Sequence, residues 1–139
     1  MKFEHELLHK ALERVDDVDW YQMVLSFHKK FGCHIQTKPK FPHEKVMSLR
    51  WKLIGEEYSE LIKATREENI VETADAIADL IYVLIGMAIA LGIDLRPVMK
   101  EVQRSNMEKE NGGKDKDGKV MKPKYWNPPD IKKAIIERW

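Results

Sequence analysis

The chain has 139 residues and a mass of 16.3 kDa, room for one domain with an ordinary core and little room for two. Charged residues make up 34% and the hydrophobic set 43%, which excludes a disordered chain and marks a soluble globular one. The 24 Lys and Arg nearly balance 23 Asp and Glu, so the net charge of +1 disfavours a fold that grips nucleic acid over its whole surface.

The start, Met1-Lys2-Phe3-Glu4-His5-Glu6, is charged and lacks the apolar stretch of a signal peptide. Residues 2–15 read as an amphipathic first helix, with Phe3, Leu7, Leu8, Ala11, Leu12 and Val15 at helical spacing. Asp16, Asp17 and Asp19 are candidate caps for a second helix, in which Trp20, Val24, Phe27 and Phe31 form one stripe and Gly32 the stop. Cys33 is the single cysteine, so no internal disulfide framework exists and a reducing, cytoplasmic setting is expected. Pro39 and Pro42 make residues 33–43 a connecting loop.

A third helix is predicted from Glu44 to Arg66, with Val46, Leu49, Leu53 and Leu61 on its buried side. Asn69-Ile70-Val71-Glu72 resembles a capping box and opens a fourth helix that Gly92 closes. The longest apolar segment, residues 80–93, falls short of the roughly 20 residues that span a bilayer. Asp94 caps a fifth helix that carries Pro97 in its first turn and Val98, Val102 and Asn106 at four-residue steps. Residues 110–126 are polar and glycine-rich and read as a mobile loop, with Asp117-Gly118 as a tight turn or short hairpin. Asn127-Pro128-Pro129-Asp130 begins a last short helix ending at Trp139. The fold expected is an all-α helical bundle, one domain over residues 1–139 with 1–19 as an N-terminal helical extension, completed by oligomerisation.

The chemistry is carried by acids in the two central helices. Glu56 and Glu60 lie four apart and Glu57 and Glu60 three apart, close neighbours on a helical surface. Glu72, Asp75 and Asp79 fall within roughly 60° of one another on the fourth helix. Asp79 stands at the edge of a segment that is apolar on every side, where a carboxylate needs a proton, a basic partner or a metal. An all-oxygen donor set favours Mg²⁺, with Mn²⁺ as a substitute, over Zn²⁺. The competing reading is a solvated acidic face, and for Glu72 a role in the cap.

Glu56-Glu57-Tyr58-Ser59-Glu60, followed by Ala78-Asp79-Leu80-Ile81-Tyr82-Val83, resembles the EExxE and ExxD pattern of the all-α nucleoside triphosphate pyrophosphohydrolases. That superfamily includes MazG, the dimeric dUTPases and phosphoribosyl-ATP pyrophosphohydrolase. The short MazG-like proteins of bacteria and phages are the nearest in pattern. Phe27-His28-Lys29-Lys30-Phe31-Gly32, Gly92-Ile93-Asp94, residues 101–109, residues 117–123 and Trp126-Asn127-Pro128-Pro129-Asp130 extend the likeness over about residues 20–131. The chain departs from the pattern at Ala76, where the family places the glutamate of ExxD. Either Asp75 takes its place, the preferred reading because it lies one turn before Asp79, or Glu72 with Asp75 makes a shifted motif.

The resemblance implies Mg²⁺-dependent cleavage of (deoxy)nucleoside triphosphates to a monophosphate and pyrophosphate, in nucleotide-pool sanitation. It implies Glu56, Glu60, Asp79 and Asp75 as metal ligands, Glu57 as proton acceptor, and Asn106, Lys109 and Lys122 as substrate-binding groups. It also implies a homodimer or homotetramer, with no stable nucleic-acid or membrane partner. Two alternatives stand beside it: a narrow dUTP, dCTP or other diphosphate enzyme, and a catalytically silent oligomerisation module. Trp20, Trp51 and Phe27 read as core, His28 and His34 as packing or entrance residues, and Asp115-Lys116-Asp117-Gly118 as a turn rather than a calcium loop.

Overall fold

Short polar side chains set the helix starts in the computed structural model, which describes residues 2–13 and 18–136. Helix α1 runs Lys2–Glu13. Residues 14 and 15 of the predicted first helix and the candidate caps Asp16 and Asp17 lie outside the described residues, as do the side chains of Phe3, Leu8, Ala11 and Leu12. Asp19 caps α2 (Trp20–Phe31), accepting from the Gln22 N–H at 3.0 Å, and Gly32 ends that helix at φ +67°. Helix α3 covers Glu44–Arg66 and α4 Ile70–Ala90. Asp94 caps α5 (Leu95–Met107), and Asp130 caps α6 (Ile131–Ile136) by accepting from the Lys133 N–H at 3.0 Å. Trp139, the predicted end of the last helix, lies outside the described residues.

A tight reversal joins α3 to α4. The Asn69 N–H donates to the Ala64 carbonyl and the Glu68 N–H to the Thr65 carbonyl, a Schellman closure with Glu68 at φ +52° in the place usually held by glycine. Asn69 then caps α4 through the Glu72 N–H at 3.1 Å. Because the Asn69 N–H is already given to Ala64, the return half of the predicted capping box does not form, and the Glu72 side chain is exposed.

Helices α3 and α4 pack along their length, and α2 crosses the C-terminal half of α4. Val24, Ile85 and Ile89 form the centre, with Tyr21, Leu25, Ile35, Ile81, Tyr82 and Leu95 around them. The loop over residues 33–43 lies against the end of α4: the Gln36 N–H donates to the Ile89 carbonyl and the Lys40 N–H to that of Leu91. There Gly92 sits at φ +72°, and a Cβ would overlap the Lys38 carbonyl. Arg96 ties α2 to α5, reaching Asp19 at 2.6 Å and Asp94 at 2.9 Å while its guanidinium lies 4.8 Å from the Tyr21 ring centre.

Three packing expectations are corrected. Trp20, Phe27 and Phe31 of the predicted α2 stripe are exposed, and the buried line of that helix is Val24 and His28. On α3, Leu49 is half-exposed and the buried face is centred on Met47, Arg50 and Ala64; the charged Arg50 hid that face from a count of apolar residues. Trp51 is also exposed. Helix α4, taken whole, has 21 residues and a mean hydropathy of 1.7, long and apolar enough to cross a membrane by length and composition. The estimate from residues 80–93 stopped short because it began after Asp79; in this fold α4 is the central packing helix.

The N-terminal half of α4 has less cover, and Ile70, Val71 and Ile77 are exposed there, as is Leu84 in the C-terminal half. The total accessible surface is 11338 Å², about half as large again as the roughly 7,500 Å² expected of a compact monomer of this mass.

Candidate active site

Glu57 and Glu60 are one turn apart on α3, and Asp79 comes from α4. Each offers a carboxylate oxygen, and these oxygens lie within 4.8 Å of one another. Glu57 and Asp79 are half-buried and Glu60 is exposed, so the cluster opens to solvent on one side. Glu57 Oε2 is buried and has no hydrogen-bond partner. Burial pushes the Glu57 carboxyl above its ordinary range, and the nearby charges of Asp79 and Glu60 push it further. Three acids that repel, one with an orphaned buried oxygen, fit a hard divalent cation bound through oxygen. The donor set is all carboxylate, as such an ion requires.

The other predicted acids are placed elsewhere. Glu56 is rotated by about 100° from Glu57 and pairs weakly with Lys52 at 4.0 Å on the outside of α3. Asp75 and Glu72 are exposed and stand outside the trio, while Ala76 is buried.

Lys109 and Lys122 converge on one ring. Their Nζ atoms lie 5.2 Å and 4.6 Å from the centre of the Trp126 indole. Trp126 is fixed in turn, since its Nε1–H donates to the Ser105 carbonyl at 2.7 Å. Asn106 is exposed in the last turn of α5, which ends at Met107, so Lys109 lies past the helix rather than on its stripe. The segment before Trp126 is pinned by a small antiparallel turn. Lys114 bridges Val120, and Asp115 Oδ1 accepts from the Asp117 and Lys119 N–H groups at 2.9 Å, so the Asp115–Gly118 stretch is a turn. The carboxylate trio belongs to the α3–α4 pair and the lysine pair to the end of α5, which packs on α6.

Sequence reasoning gave no role to two residues. Trp126, quoted only as part of the family-like Trp126–Asp130 segment, organises both lysines. Arg50 is buried beside His28, against Gly86. A glycine inside an otherwise apolar helix costs stability relative to alanine, and that was the available sign of a close approach.

The profile of the phosphoribosyl-ATP pyrophosphohydrolase family matches residues 24–106, which include α3, α4 and every member of the trio. An uncharacterized protein of Acanthamoeba polyphaga mimivirus is 38% identical over 81 residues, covering 54% of this chain. The chain spans about a third of that curated relative, 32% of its length. With a match over more than half its residues, the chain belongs to the phosphoribosyl-ATP pyrophosphohydrolase family, within the MazG-like all-α superfamily of nucleotide pyrophosphohydrolases.

Proposed function

We propose that the protein hydrolyses (deoxy)nucleoside triphosphates between the α and β phosphates, giving a monophosphate and pyrophosphate, and so clears unwanted nucleotides from the pool. The observation that carries this reading is the Glu57–Glu60–Asp79 trio with its orphaned oxygen. Glu60 and Asp79 would hold the cation, with Glu57 beside them, and Mg²⁺ suits the donor set, with Mn²⁺ as a substitute. A bound divalent cation neutralises the polyphosphate and acidifies water. Glu57, half-buried in the trio and with Oε2 free of any hydrogen bond, is the best placed of the three to accept the proton of the attacking water. Lys109 and Lys122, presented together on Trp126, meet the phosphates, and Asn106 binds the sugar or a phosphate oxygen.

A homo-oligomer completes the site in this reading. Its support is the exposed apolar half of α4 and the large accessible surface, both explained if a second copy covers them and brings its Lys109–Lys122 pair to the trio. Light scattering on the eluting protein tests this, and a 16.3 kDa particle over the working concentration range would defeat it.

Buried Ala76, standing where the motif has glutamate, favours one second reading: a helical module without catalysis. Pyrophosphate release separates the two. Canonical, deoxy and modified nucleoside triphosphates and phosphoribosyl-ATP are incubated with the protein, with and without Mg²⁺. Metal-dependent pyrophosphate with a monophosphate product supports the enzyme, and a response to dUTP or dCTP alone marks a narrow one. No release by folded protein from any of them favours the module.

A further inference from the structure

Lys109 and Lys122 stand thirteen positions apart in the chain, yet both ammonium groups lie against the Trp126 indole, 5.2 Å and 4.6 Å from its centre. Lys109 is half-buried. Among the described residues neither lysine has a carboxylate within ion-pair reach. An indole face attracts an ammonium but carries no net charge, so the two positive charges remain without an anion to balance them.

The loop itself builds this arrangement. The Trp126 Nε1–H donates to the Ser105 carbonyl at 2.7 Å, one of the last-turn carbonyls that α5 leaves free. Ser105 is 1% exposed, and its hydroxyl donates to the Asn127 carbonyl at 3.1 Å, so the ring and its backbone are clamped to the helix end together. Upstream, the Gly112 N–H donates to the Lys109 carbonyl at 3.2 Å and the Met121 N–H to the Gly113 carbonyl at 2.9 Å. A Cβ at Gly112 would overlap the Met121 carbonyl, so the glycine lets the returning chain pass close enough to bring Lys122 near Lys109. These contacts all lie within residues 105–127 and none involves α3 or α4. Neither the carboxylate trio nor its cation is needed to assemble them.

The donor chemistry selects the ligand. Each ammonium offers three N–H donors and no acceptor, and the indole N–H is already given to Ser105. A ligand here must accept hydrogen bonds and carry negative charge. Two ammonium groups on one ring reward charge spread over linked phosphoryl groups more than the charge of a single phosphate.

We propose that Lys109 and Lys122 form a ready-made site for a condensed phosphate that holds its ligand without the divalent cation, with Trp126 as the positioning residue for both lysines. This rests on the proposed function in taking the two lysines as phosphate contacts. It goes beyond that reading in making capture of the phosphate chain independent of the Glu57–Glu60–Asp79 trio. Free pyrophosphate and the tail of a nucleoside triphosphate offer the same chemistry.

The test is calorimetric titration of inorganic pyrophosphate, dATP and orthophosphate into the full chain in EDTA, with no divalent cation present. Pyrophosphate and dATP are expected to bind at least about 10-fold more tightly than orthophosphate, the tighter of the two marking product or substrate as the source of the ligand. Lys122→Gln and Trp126→Leu should each weaken both condensed phosphates by about 10-fold and leave orthophosphate little changed. That loss of preference for linked phosphates is what a merely structural role for Trp126 would not produce. Asp79→Asn should bind pyrophosphate as before. Binding that appears only with Mg²⁺, or that is lost in Asp79→Asn, overturns the proposal. So does Trp126→Leu protein that binds all three ligands as the unmodified chain does, or loses them in parallel. Should Trp126→Leu fail to fold, Trp126→Phe retains a ring but not the bond to Ser105, and the same selective loss is expected of it in smaller measure. Pyrophosphate release from nucleotides with Mg²⁺ is scored separately: metal-free capture without turnover supports this site and counts against the proposed reaction, and turnover without metal-free capture does the reverse.

Discussion

Glu57 and Asp79, 22 positions apart in the chain, bring carboxylate oxygens within 4.8 Å across the antiparallel seam of α3 and α4. With Glu60 they form a centre that repels itself until it is neutralised. Added Mg²⁺ is therefore expected to raise the melting temperature, because the ion binds only the assembled site. At a concentration 100 times the dissociation constant the gain is about 2.7 kcal/mol. Asp79→Asn and Glu60→Gln should abolish most of that shift in differential scanning calorimetry, while Asp75→Asn should leave it intact. A shift that survives Asp79→Asn would place the ion elsewhere.

The same carboxyl gives the metal-free protein a pH signature. Glu57 is raised above its ordinary 4.5 chiefly by burial, so the folded state holds this proton more tightly than the unfolded chain. Its contribution to stability is present below pH 4.5 and is lost as pH rises through the folded value. Denaturation midpoints measured without metal should show this fall, and Glu57→Gln should flatten it.

Glu101 carries the opposite sign. The Arg104 guanidinium, and next the Asp130 backbone N–H, hold its carboxyl down to about 2. Stability from this group is present above pH 4.5 and lost as pH falls from there toward 2. Hydrogen exchange at the start of α6 should accelerate over that window, and Glu101→Gln should make it fast at neutral pH.

The seam also predicts a gain. Glu57 meets Asp79 and Arg50 meets Gly86, seven residues apart on each helix, so the antiparallel register sets Ala76 opposite Glu60. Ala76→Glu introduces a fourth carboxylate at that level of the seam. It should destabilise the metal-free protein by about 1–3 kcal/mol, as a buried acid without a partner. It should also enlarge the Mg²⁺-dependent rise in melting temperature, and an unchanged rise would show the new acid pointing away.

Two left-handed residues should respond in opposite directions. Gly92→Ala meets both a positive φ and the Lys38 carbonyl and should cost about 3 kcal/mol or more. Glu68→Gly relieves a strained φ at the turn between α3 and α4 and should stabilise by about 1 kcal/mol. Urea midpoints measure both.

By itself the sequence determined the helices, because their starts and stops are local chemistry. Asp19, Asn69 and Asp94 satisfy N–H groups within three residues of themselves, and Gly32 and Gly92 adopt the turn that ends a helix. The residue types of an acidic centre on the two middle helices were legible for the same reason. Helical spacing fixes the angle between two side chains on one helix but not which angle faces a neighbour. That choice belonged to tertiary packing: it turned Glu57 rather than Glu56 toward Asp79, buried Ala76 and left Asp75 outside. It also left Trp20 and Phe31 exposed, and it laid Arg50 across Gly86, where an apolar count had no reason to look for a charge.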